Sequence, residues 1–165
     1  MKRKTKFAVN PALCAVALCV WFLMISSAIV VLPMGRIVSA LIFFLIGIVF
    51  LAVAARNGIV VDIQPEGVYR RFLGHQISFL SWDKVQEVGV CGIQPFHPKN
   101  ENKVGTLYIY ISEEKLDDKK RFDMVLQWPP RGKVYMVNDQ DRLNIVQLRW
   151  SRKIHCFNTG EFHIG

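Results

Sequence analysis

Hydrophobic and polar positions follow three rhythms along this chain. From Phe7 to Leu32, and again from Ile37 to Ala55, no charged residue interrupts an apolar run, and only Pro33, Met34, Gly35 and Arg36 separate the two. As helices rising about 1.5 Å per residue, runs of 26 and 19 residues each cross a hydrocarbon core roughly 30 Å thick. A short linker containing Pro and Gly has no room for a domain, so the pattern predicts a transmembrane helical hairpin over residues 1–56, with spans at about 8–32 and 37–55. Pro11 falls in the opening turns of the first span, where a missing N–H does least harm. Small residues at Ala15, Cys19, Ser26, Ser39, Ala40 and Gly47 would let the two helices approach closely.

From Gly58 the period becomes two. Ile59, Val61 and Ile63 share a face, Pro65-Glu66-Gly67 turns the chain, and Val68, Arg70 and Phe72 continue on the return strand. Gly74-His75 marks a second turn, followed by Ile77 and Phe79 in alternation with Gln76 and Ser78. After Ser81-Trp82-Asp83, a β-rich segment runs from Val85 to Ile93, with Gly89 and Gly92 permitting a bulge or bend. Pro95 to Lys103 reads as a polar loop. Leu107, Ile109 and Ile111 line one face of a strand, Phe122, Met124, Leu126 and Trp128 that of another, and Val134 to Val137 the last. Seven short strands of this kind predict a small antiparallel barrel or pair of orthogonal sheets. The third rhythm is helical: Asn138 reads as an N-cap, and Leu143, Val146 and Trp150 fall on one face of a helix over residues 138–152. Asp139 and Asp141 sit near its start and Arg149, Arg152 and Lys153 near its end, which suits the helix dipole. The fold class is thus α+β, with residues 57–165 as one β-rich domain.

The net charge of +8 changes meaning once it is divided by region. All 13 acidic residues lie at or beyond Asp62, and residues 57–165 carry 15 Lys or Arg against them, a net of +2. The excess therefore belongs to the membrane flanks, where anionic lipid attracts basic residues, and nucleic acid is a poor partner. Lys2, Arg3, Lys4 and Lys6 precede the hairpin and Arg56, Arg70 and Arg71 follow it, whereas the turn holds only Arg36. By the positive-inside rule this is a multi-pass plasma-membrane protein with both termini cytoplasmic. The first apolar run is longer than the core of a cleaved signal peptide. In the reducing cytoplasm, Cys91 and Cys156 are expected as free thiols.

Three segments carry a resemblance: Gly58-Ile-Val-Val-Asp-Ile-Gln-Pro-Glu-Gly-Val-Tyr-Arg-Arg, Ile77-Ser-Phe-Leu-Ser-Trp-Asp-Lys-Val, and Asp141-Arg-Leu-Asn-Ile-Val-Gln-Leu-Arg-Trp. In this order they resemble the bacterial pleckstrin-homology-like domains that follow one or two membrane spans. The resemblance covers about residues 57–155 and implies a seven-stranded antiparallel barrel or sandwich capped by a C-terminal helix, acting as an interaction or regulatory module. The inositide binding of eukaryotic relatives is not implied, because Pro65-Glu66-Gly67 stands where a lipid-binding first turn presents basic residues.

No pattern for catalysis is present: there is no phosphate loop, nucleophile elbow or carboxylate pair, and no small-molecule substrate or cofactor is indicated. Cys91, His97, His155, Cys156 and His163 lack zinc spacing, so no metal site is expected. The spans hold no ionisable residue of the kind that marks a transport path. Arg56, Arg70, Arg71 and Lys84 are the candidates for contact with headgroups or a partner, while Trp82, Tyr108 and Tyr110 are aromatics for a groove or for packing. Three functions remain open. The first is a non-enzymatic membrane-tethered module that binds a protein or its own copies; the others are a sensor of anionic headgroups and a small accessory subunit of a membrane transport or envelope enzyme complex.

Overall fold

The computed structural model describes residues 5–93, 106–126 and 130–157. The expected loop at Pro95 to Lys103, together with Trp128, His97 and His163, lies outside them.

The apolar runs form two helices, α1 (Pro11–Val31) and α2 (Ile37–Asn57). Asn10 opens the first by accepting a hydrogen bond from the Leu13 amide at 3.1 Å, and Pro11 takes the first helical position, where no intrahelical donor is lost. The helix tightens into one 3-10 turn at Leu32–Met34 and ends on Gly35, whose φ of 76° is left-handed. Both helices are long and apolar enough to cross a membrane. Their large side chains face outward, with Phe22 66% and Val38 72% exposed, whereas Ala17, Ala40, Gly47 and Ala54 are buried. A Cβ on Gly47 would lie 3.0 Å from Ile25 Cδ1, so the small residues mark the seam where α1 and α2 approach.

The remaining chain builds two four-stranded sheets rather than a closed barrel of seven. The first holds β1 (Lys6–Ala8), β2 (Val60–Ile63), β3 (Gly67–Phe72) and β4 (His75–Ser81) in that order. Strand β1 precedes the helices and β2 follows them. The Ile63 amide donates to the Thr5 carbonyl at 2.9 Å and the Val9 amide to the Ile59 carbonyl at 2.9 Å, so the two flanks run antiparallel, side by side. The β unit accordingly comprises residues 5–7 and the described residues from Val60 onward, a different division from the expected break after residue 56. The second sheet has the order β7-β6-β5-β8, with β5 (Glu87–Ile93), β6 (Thr106–Ser112), β7 (Lys133–Val137) and β8 (His155–Phe157). Strand β8 pairs parallel with β5, which gives the tail its place.

Val61, Ile63, Val68 and Leu80 from the first sheet and Val88, Ile109, Ile111, Val134 and Met136 from the second make up the buried core. Strand β6 is buried on both faces, since Tyr110 is as fully enclosed as its neighbours Ile109 and Ile111. What covers the second face is helix α3 (Asp118–Leu126), where alternation predicted a strand at Phe122 to Trp128. The Asp117 carboxylate receives the Lys120 amide at 2.7 Å and thereby opens a helix turn. Arg121 and Met124, three residues apart, then share the buried side.

A further helix, α4 (Gln140–Arg149), lies within the expected interval, but its cap is Asp139 rather than Asn138. Asp139 accepts from the Asp141 amide at 2.9 Å, while the Asn138 amide extends sheet pairing by donating to the Leu107 carbonyl at 2.8 Å. The helix does not end the fold, because β8 follows it. Two buried arginines tie the sheets: Arg142 of α4 donates to the Val137 carbonyl at 2.8 Å with its guanidinium 5.5 Å from the Phe7 ring, and Arg70 of β3 reaches the Pro130 carbonyl at 2.9 Å.

Candidate functional site

The four basic candidates occupy unlike places. Alternation along β3 sends Arg70 inward with Val68, and it is only 6% exposed. Its Nε donates to Ser78 Oγ at 2.6 Å and its Nη2 to the Pro130 carbonyl. Burial lowers its pKa, and no carboxylate forms an ion pair with it among the described residues. Arg70 is therefore a brace between the sheets and not a surface contact. Arg71 faces the other way, its Nε 3.6 Å from the Asp62 carboxylate and its guanidinium 5.5 Å from the Tyr69 ring. Asp62 is itself buried and also accepts from Thr5 Oγ1 at 3.1 Å and Gln64 Nε2 at 2.7 Å. Lys84 is exposed on the 3-10 turn Trp82–Lys84. Arg56 occupies the last turn of α2, in the helical unit.

The aromatics divide similarly. Trp82 donates its indole N–H to the Gln64 carbonyl at 2.9 Å and lies 6.3 Å from the Trp150 ring, so it locks the β2–β3 turn. Tyr108 meets Tyr135 edge-on at 5.9 Å. Tyr110 is fully buried and belongs to an ionic cluster that no motif announces.

In that cluster, Glu87 of β5 accepts from the Tyr110 hydroxyl, from Arg121 Nη2 at 3.2 Å and from the Leu116 amide at 3.2 Å. Arg121 Nε also reaches the Tyr110 hydroxyl at 3.1 Å, Nη1 reaches Asp118 at 2.7 Å, and the guanidinium stacks 3.2 Å from the Phe157 ring centroid. The register pairs Gly89 with Tyr110, and a Cβ on Gly89 would stand 2.6 Å from the phenol oxygen. Glycine here admits the ring; strand pairing through residues 87–93 is unbroken, so it makes no bulge. Burial, reinforced by the bond to Glu87, pushes the Tyr110 phenol far above its usual range. Burial opposes the Arg121 charge, but Tyr110 and Glu87 raise its pKa on balance. Phenol and guanidinium thus keep their ordinary protonated forms at neutral pH, and the cluster clamps α3 and β8 onto the second sheet.

Cys91 shares that covered face, and burial pushes its thiol up to about 12, so a thiolate nucleophile is not present at neutral pH. His155 stacks on Phe157 with ring centroids 6.0 Å apart, while Cys156 is exposed. Among the described residues no three His, Cys, Asp or Glu side chains group as metal ligands.

The surface features that stand out are apolar. Strand β4 is the outer strand of its sheet; Phe79 and Ile77, the latter at the register shift where the pairing skips a residue of β4, are 43% and 42% exposed. Phe79 packs on Tyr69 with ring centroids 4.6 Å apart. Leu73, in the β3–β4 turn, is 83% exposed. Comparison with protein-family models, with curated proteins and with solved structures finds no match to this chain.

Proposed function

We propose that this chain is a non-enzymatic, membrane-tethered interaction module. Its hairpin anchors a pleckstrin-homology-like β domain at the cytoplasmic face of the plasma membrane, where the domain binds a protein or a second copy of itself. The observation that carries the reading is β4: an outer strand of seven residues bordered by exposed Ile77 and Phe79 offers backbone donors and acceptors together with apolar side chains to an incoming strand. The antiparallel flanks β1 and β2 support a two-pass topology with both ends on one side. The meander β2–β3–β4 and the placing of α4 after β7 are the features that lend support to the pleckstrin-homology-like part of the reading.

A sensor of anionic headgroups draws less support, because Arg70 is enclosed and Arg71 is paired with Asp62. Extraction in mild detergent followed by light scattering tests the proposal. A species larger than the monomer is expected, and the double substitution Ile77→Lys, Phe79→Lys should reduce it to the monomer without altering hydrogen exchange in β5 and β6. A monomer that responds only to anionic liposomes would favour the headgroup reading instead. A co-purifying transport or envelope enzyme would identify the chain as its accessory subunit.

A further inference from the structure

Leu73 is more exposed than any large apolar residue on the two apolar helices, at 83% against a maximum of 72% for Val38. Its backbone is also unusual, with φ of 48°, followed by Gly74 at 86°. Two successive left-handed residues between the paired Phe72 and His75 make a tight hairpin turn, a place that favours Asn or Gly at the first position. Neither burial nor turn chemistry accounts for a leucine there. Register says where the turn lies. Val60 pairs with Arg71, so the turn projects beyond Val60, at the end of the sheet where the chain has just left α2 at Asn57. Two strand residues past Arg71 advance roughly 7 Å at about 3.3 Å each, so Leu73 stands just beyond Val60, the strand residue that follows α2 by three positions in the chain. The opposite end of the sheet carries the turn Pro65-Glu66-Gly67 and its acidic side chain. No acid occurs in the near turn: Arg71 and His75 flank Phe72, Leu73 and Gly74.

We propose that the β3–β4 turn is a third membrane attachment, with Leu73 inserted at the boundary between headgroups and acyl chains of the leaflet from which α2 emerges. The inference rests on the membrane-tethered part of the reading above and is independent of what β4 binds. The ligand is the lipid surface itself: an apolar side chain with a neighbouring cation already paired to Asp62 selects no particular headgroup.

The test uses the full chain in nanodiscs, with Cys14, Cys19 and Cys156 replaced by Ala and buried Cys91 retained. An environment-sensitive fluorophore is attached at Leu73→Cys, at Glu66→Cys on the far turn, or at Leu45→Cys, 61% exposed on α2. Spin-labelled phosphatidylcholine quenches from the lipid and iodide from the water. At position 73 the emission should shift to the blue, lose intensity to lipid carrying the spin label near the headgroup, and resist iodide, equally with and without phosphatidylglycerol. Position 66 should respond only to iodide, and position 45 to lipid labelled deep in the acyl chain. Iodide quenching at 73 equal to that at 66 overturns the inference. Protection at 73 from both quenchers also overturns it and assigns the turn to a protein contact. If position 45 escapes lipid quenching, the hairpin itself is not embedded and the inference falls with it, a result distinct from failure at 73 alone.

Discussion

Replacing Glu87 by Gln keeps the shape of the side chain and removes the charge that organises the buried cluster. Glu87 and Arg121 are both less than a tenth exposed, at 7% and 5%, and removing one member of such a pair typically costs about 3–5 kcal/mol. A carboxylate offers two acceptor oxygens to the Tyr110 hydroxyl, Arg121 Nη2 and the Leu116 amide. Glutamine offers one, so its own N–H points at a donor and orphans it, a penalty of about 1–3 kcal/mol that forms part of the total. Asp118 remains 2.7 Å from Arg121 Nη1, but its side chain is 76% exposed, so it compensates weakly. The expected loss is about 3 kcal/mol. Hydrogen exchange of β5 and β6 amides in the detergent-solubilised chain reads this directly, because each 1.36 kcal/mol is tenfold; exchange should accelerate by roughly two orders of magnitude. Arg121→Met should cost a similar amount, and the double variant less than the sum by more than about 1 kcal/mol, since neither charge is then stranded. Acceleration below about twofold for Glu87→Gln, or strict additivity in the double variant, would refute the account of a coupled buried pair.

Three further outcomes are expected. Gly89→Ala should destabilise the second sheet by about 1–3 kcal/mol through overpacking against Tyr110, and trimming the ring with Tyr110→Leu in the same chain should relieve the clash, as thermal unfolding would register. Cys156, exposed, should react with iodoacetamide at pH near 8, whereas Cys91, with its pKa pushed up to about 12, should remain unmodified until the protein unfolds; mass spectrometry of the native and denatured protein separates the two. Glu114 is held below the ordinary glutamate pKa by Lys133 at 2.8 Å and Lys120 at 3.3 Å. A depressed carboxylate contributes stability above its unfolded pKa and loses it as pH falls through the folded value. The stability gap between wild type and Glu114→Gln should thus be present at neutral pH and close in acid, and high salt should shrink it throughout.

The two helices were legible because long runs free of charge, Phe7 to Leu32 and Ile37 to Ala55, make up nearly all of them, and the β2–β3–β4 meander because alternation and turn residues agree there. Helix α3 was misread because Phe122, Met124, Leu126 and Trp128 satisfy a period of two, whereas the buried side of the helix is made by Arg121 and Met124, three residues apart. The Asp117-Asp118 pair ahead of Lys119 and Lys120 was the overlooked helix-start signal. Strands β1 and β8, three residues each, are too short for any period, and β1 finds its partner only across the whole hairpin. The cluster of Glu87, Tyr110 and Arg121 joins three elements with no fixed spacing between them. Its one local trace is Gly89 in a strand. For Arg70, alternation with Val68 is the better guide than charge to where it ends, since Val68 is fully buried and Arg70 nearly so.

Pairing β1 with β2 also sets an order of events during synthesis. Thr5 and Asp62, bonded in the finished sheet, are 57 residues apart, so β1 leaves the ribosome long before its partner exists. Closing a flexible loop of that length costs entropy that grows with the logarithm of its length. The two antiparallel helices, packed on each other, instead deliver both ends of the loop to the same place, as a splint does for a break. The first sheet is completed only after both helices have paired. Correct pairing of the two helices is thereby a precondition for a finished β domain, and a chain that fails in it carries an incomplete sheet with a raw edge for proteases and chaperones to recognise.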